Sequence, residues 1–169
     1  TRAGIGSKEE YQDVIRMLWN TLHTDLGDGF RLAELGPADR LREIEFHYPL
    51  GKTGPAPNFL KGVIDLVFRR GERYYFADWK SNLLIDGYGQ DQIKRSMDES
   101  NYHLQYQLYV IAVNRWLKHS VKDYDYDNHF GGIYYFYVRG METDGGIYFY
   151  RPDNETEIET YEQEALKLV

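Results

Sequence analysis

Asp78 and Lys80 stand two apart in the aromatic run YYFADWKSN, residues 74–82. Alternate residues of a strand share a face, so both side chains would enter what otherwise reads as a buried layer. Asp and Lys are almost never fully buried without a partner or a task. A second strand-like run, residues 59–69, comes before them and carries Asp65. Gly71-Glu72 between the runs suits a two-residue type II′ hairpin turn. Arg70 then pairs with Arg73, and the register sets Asp65 across from Asp78, Val67 from Phe76 and Val63 from Lys80. The opposite face pairs Leu66 with Ala77, Ile64 with Trp79 and Phe68 with Tyr75.

Carboxylates opposed on neighbouring strands lie about 5 Å apart at Cβ. Their repulsion is roughly 3 kcal/mol at an effective dielectric of about 20. A divalent cation between them removes that burden, and Mg²⁺ typically takes one or two carboxylates plus waters and phosphate. Lys80 beside the acids could orient or deprotonate a water, or steady a developing oxyanion. Two blander readings stand next to this one. Asp78 and Lys80 could form a plain ion pair, and a three-residue loop, 70–72, would shift the register and set Asp65 opposite Ala77.

The surrounding elements must hold these groups. Residues 8–19 carry Val14, Ile15, Leu18 and Trp19 at helical spacing behind Ser7, which predicts an amphipathic helix with an N-cap. REIEFHYPL (42–50) alternates as a strand, and GKTGPAPN (51–58) is a Gly/Pro loop. The pattern from about 90 to 119 is helical, DYDYDNHFGG (123–132) reads as a polar loop, and 133–140 and 146–150 read as strands. A tail from Glu155 reads as an acidic helix. Strands grouped around a helical block predict a mixed α/β sheet flanked by helices.

At 169 residues the chain is expected to form one domain, 1–169, with an acidic tail over about 152–169. Six acids against Lys167 give that tail a net charge of −5, which leaves −2 of the total −7 for the rest. The overall sign argues against a simple basic nucleic-acid binder, but a near-neutral body leaves room for a local basic groove. No apolar run reaches membrane-spanning length. The absence of Cys excludes a disulfide scaffold and fits a reducing cytoplasm. An opening Thr1 without Met suggests a fragment of something longer.

GVIDLVF, YYFADWKSN and YHLQYQLY, in that order, resemble the PD-(D/E)xK nuclease superfamily. More narrowly they are similar to the C-terminal nuclease domain of the RecB family, the beta subunit of exodeoxyribonuclease V. EIEFHYPL, DYDYDNHFGGIYYFYVRG and GIYFY extend the likeness over most of residues 20–150. The resemblance implies a restriction-endonuclease-like fold and Mg²⁺-dependent (or Mn²⁺-dependent) hydrolysis of DNA within a larger bacterial cytoplasmic helicase–nuclease. It also implies RecC-like and RecD-like partner subunits and no membrane. Asp65, three residues after Gly62, and Asp78 would be metal ligands, with the Trp79 carbonyl between them, and Lys80 the catalytic lysine. Gln105 and Tyr109 would brace the site or touch the DNA backbone. The family's metal-binding His has no counterpart at His23, and is expected on a helix before Thr1.

Other candidates are weaker. Glu45 could be a site acid, and it shares a strand face with Glu43, for which solvation is the plainer reading. His47, His103, His119 and His129 lack ligand spacing. Tyrosines number 16, and core packing explains them better than base stacking. Lys94, Arg95, Arg69, Arg70 and Arg73 could contact phosphates or form surface salt bridges. The alternative functions are a catalytically silent module of the same fold that binds DNA or partner subunits, and a structural docking domain.

Overall fold

Gly71 adopts φ +62°, the left-handed value that a type II′ turn needs at its first central position. The computed structural model, which describes residues 8–50, 58–142 and 145–167, joins β2 (Asn58–Arg70) to β3 (Arg73–Lys80) through this turn. Arg70 pairs with Arg73, Phe68 with Tyr75, Val67 with Phe76 and Leu66 with Ala77, as the hairpin predicts. β1 (Arg40–Leu50) runs antiparallel along β2. On the other side β4 (Phe130–Tyr137) lies parallel to β3, and β5 (Ile147–Tyr150) antiparallel to β4. The sheet order is β1-β2-β3-β4-β5. A parallel neighbour requires a crossover, which the helices between β3 and β4 supply. The architecture is the expected mixed sheet with flanking helices.

Both faces of the sheet are covered. On one, Val67, Phe76, Ile133 and Tyr135 pack with Val110, Ile111 and Leu117. On the other, Leu66, Phe68, Ala77 and Phe136 meet Leu32, Leu35 and Met141. Burying a side chain such as Phe76 or Ile133, both at 0% exposure, contributes about 1.5–3 kcal/mol.

Three segments differ from the sequence expectation. The helical block breaks into α2 (Gln90–Glu99) and α3 (Tyr102–Ser120). Asn101 between them sits at φ +54°, a left-handed conformation that Asn tolerates better than most residues. The expected loop at 123–132 contains the short helix α4 (Tyr126–His129), capped by Asp125, and β4 begins at Phe130. The burial of Tyr126 and Phe130, stacked at 5.1 Å, drives this ordering. β4 ends at Tyr137, and residues 138–140 form a 3₁₀ turn. Helix α1 (Lys8–His23) forms with Ile15, Leu18 and Trp19 of its apolar stripe exposed, and the terminal helix α5 (Glu155–Lys167) forms as expected. Its Ile158, Tyr161 and Ala165 are buried, so the acidic segment is packed on its apolar stripe. The Gly/Pro stretch 51–57 lies outside the described residues. No helix among the described residues is long and apolar enough to cross a membrane.

The hairpin register carries one correction. β2–β3 pairing ends at Leu66–Ala77, so Asp65–Asp78, Ile64–Trp79 and Val63–Lys80 are not ladder pairs. The β1–β2 ladder is interrupted at the same place. Arg42–Leu66 and Ile44–Ile64 are paired, while Glu43 and Asp65 between them are not. Glu43 stands at φ +53°, where an L-residue costs roughly 1–2 kcal/mol. Alternation resets at this point: Ile64 joins the core cluster of Val67 instead of that of Leu66 and Phe68. Interrupting a strand in this way re-aims a side chain and ends pairing, as bulges beside active sites do.

Candidate active site

The re-aimed side chain is Asp65. Its Oδ2 accepts the Trp79 backbone N–H at 2.9 Å, replacing the ladder bond that the strands no longer make. A strand residue presents its N–H and C=O to the same side, so the Trp79 carbonyl also faces β2. Gly62 permits the local packing. A Cβ there would stand 2.4 Å from the Phe46 ring, and that ring meets Tyr109 edge-on at 5.8 Å.

Asp78 and Lys80 do share a face and are both buried, at 5% and 8% exposure. Lys80 Nζ donates to Asp78 Oδ2 at 2.6 Å and to Gln105 Oε1 at 2.9 Å. It also lies 3.9 Å from the Tyr102 ring centroid and 5.0 Å from that of Tyr135. Gln105 Oε1 accepts from the Tyr135 hydroxyl at 3.2 Å as well. Gln105 Nε2 donates to the Tyr109 hydroxyl at 3.0 Å, and that hydroxyl gives its one proton to Val63 O at 2.8 Å. Val63 O is a carbonyl beyond the end of the β2–β3 ladder. Tyr109 also stands 3.4 Å from Asp78 Oδ1.

Burial raises the Asp78 pKa above the ordinary carboxylate value; Lys80 pulls it back, and the nearby Asp65 charge adds to the rise. Burial likewise lifts the Tyr109 hydroxyl, with Asp78 adding to the shift. Asp78 and Lys80 thus form the closed ion pair that the blander reading of their spacing expects.

The geometry gathers Asp65, Asp78, Lys80, Gln105 and Tyr109. It sends Glu45 elsewhere: the exposed Glu45 carboxylate bonds Lys61 and His47 at 2.8 Å each, and those hydrogen bonds hold its pKa down. His23 accompanies Trp19 on α1, stacked at 3.8 Å, and is not among the groups around Asp78. Arg69 and Arg70 are engaged by Asp39 and Asp28, as surface salt-bridging predicted. Tyr102, Tyr135 and Asn82 were missed from sequence. Tyr102 had a signal, since 102, 105 and 109 form one helical stripe. Tyr135 had none, because parallel β3–β4 register cannot be read from local spacing.

The donors suit a hard cation. Among the described residues no three His, Asp or Glu side chains surround a metal position. Were Asp65, Asp78 and the Trp79 carbonyl to bind such an ion, they would leave several of its positions to water.

The sequence model of the PD-(D/E)XK nuclease superfamily matches residues 7–169. The chain belongs to that superfamily. Nucleases of this superfamily generally use divalent metal ions. The domain is 34% identical over 183 aligned residues to the RecBCD enzyme subunit RecB of Escherichia coli K12, covering 88% of this chain and 16% of that protein. The RecB subunit of Buchnera aphidicola subsp. Schizaphis graminum is 40% identical over 150 residues, with 72% and 13% covered. That of Mycobacterium tuberculosis H37Rv is 31% identical over 156 residues, with 65% and 14% covered. The chain thus spans 13–16% of the length of these curated relatives.

Proposed function

We propose that this domain hydrolyses DNA phosphodiesters as the nuclease part of a RecB-type helicase–nuclease. The observation that carries the reading is Lys80, buried between Asp78 and Gln105 beside the broken β2–β3 ladder in a nuclease-superfamily chain. Asp65, Asp78 and the Trp79 carbonyl would hold Mg²⁺ or Mn²⁺. Such an ion supplies Lewis-acid charge at the scissile phosphate. Lys80 places an ammonium where charge develops on the phosphoryl oxygens. Gln105 fixes the direction of that ammonium, and Tyr109 ties Gln105 to the Val63 carbonyl. A cleft lined by Lys61, Gly62, Asn101, Gln105 and Tyr109 offers an approach for the strand. Cytoplasmic work with RecC-like and RecD-like subunits, in repair and recombination of broken DNA, follows from the same reading.

Cleavage of linear DNA by the full chain, with Mg²⁺, with Mn²⁺ and with chelator, tests it. Lys80→Ala should abolish cutting while DNA binding stays within about two-fold, because Lys80 acts on the transition state. Equal cutting by both proteins removes Lys80 from the chemistry. The second reading is a silent module that binds DNA or partner subunits, and the closed 2.6 Å Asp78–Lys80 pair favours it. It predicts binding without metal-dependent cleavage.

A further inference from the structure

β3 and β4 run parallel, with Lys80 paired to Tyr137 at the last rung, so both strands end at one edge of the sheet. Ligands of open α/β sheets gather outside the carboxyl ends of such strands. β3 leaves that edge through Ser81, and β4 leaves it through the 3₁₀ turn Val138–Gly140, which carries Arg139. Arg139 Nε donates to the Ser81 carbonyl at 3.0 Å, so one side chain joins the two strand ends.

The turn that carries Arg139 is held from several sides. Tyr137 N bonds Gly146 O at 2.7 Å, and Gly146 N bonds Tyr88 O at 3.1 Å. A Cβ on Gly140 would stand 2.4 Å from Tyr88, so the turn lies flush on that residue. Helix α1 packs on the same turn, and its Arg16 Nε meets Glu142 at 2.5 Å just beyond it. The Arg139 side chain itself is exposed. Arg69, Arg70, Arg95 and Arg151 each meet a carboxylate within 3.7 Å. Among the described residues Arg139 meets none, and its one printed bond goes to a neutral carbonyl. A guanidinium carries its N–H donors in a rigid fork, so the Nη1–Nη2 edge and the whole charge are left for another acceptor.

We propose that Arg139 grips a backbone phosphate of the bound strand, beside the phosphate that meets Lys80. The proposal rests on the nuclease reading and names a residue that sets the register of its substrate. The Ser81 carbonyl belongs to the residue after Lys80, which keeps Arg139 Nε within about 9 Å of Lys80 Cα. A neighbouring phosphate is then in reach of a guanidinium that the fold has already oriented, which lowers the ordering cost of the contact. The fork of an arginine matches phosphate oxygens two at a time. Such contacts fix position along a strand and carry no sequence information. A mere brace for Ser81 needs a donor but no charge, and that difference separates the two roles.

The test measures the affinity of the full chain for a fluorescent single-stranded oligonucleotide over a range of salt, in chelator so that nothing is cut. Arg139→Gln keeps a donor for Ser81 O and loses the charge. It should weaken binding about five-fold and flatten the slope of log K against log salt by about 0.7, the share of one phosphate. Arg139→Lys keeps a charge and should restore most of that slope. Both variants should melt with wild type, since the side chain is exposed. With metal present, Arg139→Gln should raise KM about five-fold while kcat falls less than two-fold. An unchanged salt slope in Arg139→Gln overturns the contact, and a fall in kcat alongside it leaves Arg139 as a brace for Ser81. A wild type that holds no strand at any salt overturns the contact as well. The nuclease reading is judged separately, by metal-dependent cleavage. A wild type that cuts, with the slope unchanged in Arg139→Gln, loses the phosphate contact alone; an Arg139-dependent slope without cleavage keeps the contact and removes the nuclease reading.

Discussion

Asp65 and Trp79 are joined side chain to backbone, Oδ2 to N–H at 2.9 Å, at the point where β2 and β3 stop pairing. The carboxylate therefore has a structural duty beside its proposed role as a metal ligand. Substitution can separate the two. Asp65→Asn keeps an acceptor for the N–H, whereas Asp65→Ala leaves it without one. A hydrogen bond to a charged group contributes about 1.5–3 kcal/mol, less where water reaches it. Asp65→Ala should lose about 1–2 kcal/mol in urea unfolding, and Asp65→Asn under half of that. Both should lose cleavage. Equal stability of the two variants would show that the bond to Trp79 contributes nothing.

Asp78 gives the opposite balance to the one its facing acid suggests. Repulsion from Asp65 alone would make the metal-free Asp78→Asn protein more stable. Lys80 at 2.6 Å reverses that, because the variant leaves a buried ammonium without its counter-charge. Breaking a buried pair by removing one partner costs on the order of 3 kcal/mol. Asp78→Asn should therefore melt below wild type in chelator. Excess Mg²⁺ should stabilise wild type by RT ln(1 + [metal]/Kd), about 1.4 kcal/mol at ten times Kd, and the variant should lose most of that gain. Melting curves at fixed ionic strength read both effects, and a variant that melts higher in chelator restores the repulsion argument.

The hairpin and the candidate site were legible from sequence to the extent that they are local. Gly71-Glu72 fixed a register that holds from Arg70–Arg73 to Leu66–Ala77, and the spacing of Asp78 and Lys80 put them on one face. Strict alternation, continued through Asp65, then failed. The interruption depends on Glu43 in another strand, and Glu carries no sign of a left-handed conformation. The split at Asn101 was hidden because Ser100 and Asn101 sit inside an otherwise helical pattern. The α4–β4 junction was hidden for the reverse reason: Asp and Asn around Tyr126 read as loop, although Tyr126 stacks on Phe130. Tyr135 entered the site through parallel pairing with Asp78, a contact between strands far apart in the chain.

Buried Tyr126 and half-buried Tyr134 and Tyr148 predict alkaline sensitivity. Burial pushes Tyr126, Tyr134 and Tyr148 up to about 12 from the ordinary value of 10.0. The folded pKa lies above the unfolded one, so the unfolded chain releases its protons first as pH rises. Their contribution is complete below about 10 and is lost as pH climbs to about 12. Denaturation midpoints should fall steadily through that window, together with the rise of tyrosinate absorbance. Tyr134→Phe should flatten the slope, and an unchanged slope in that variant would remove Tyr134 from the effect.

Tyr102 offers the sharpest division of labour around the lysine. Its ring faces Lys80 Nζ at 3.9 Å, and its hydroxyl bonds Asn82 at 3.3 Å. An ammonium over a desolvated ring gains about 2 kcal/mol, a direction of pull that neither Asp78 nor Gln105 supplies. Tyr102 is then a positioning residue acting through Lys80. Tyr102→Phe keeps the ring and should retain kcat within about three-fold, while Tyr102→Leu should lower kcat ten-fold or more, since about 1.4 kcal/mol is a factor of ten. KM should move little in either, because the ring touches the lysine and not the strand. Cleavage kinetics on one oligonucleotide substrate measure both constants. Wild-type kcat in both variants would mean that Asp78, Gln105 and the Tyr135 ring hold Lys80 without Tyr102, and a fall in the Phe variant as deep as in Leu would shift the role from the ring to the hydroxyl and Asn82.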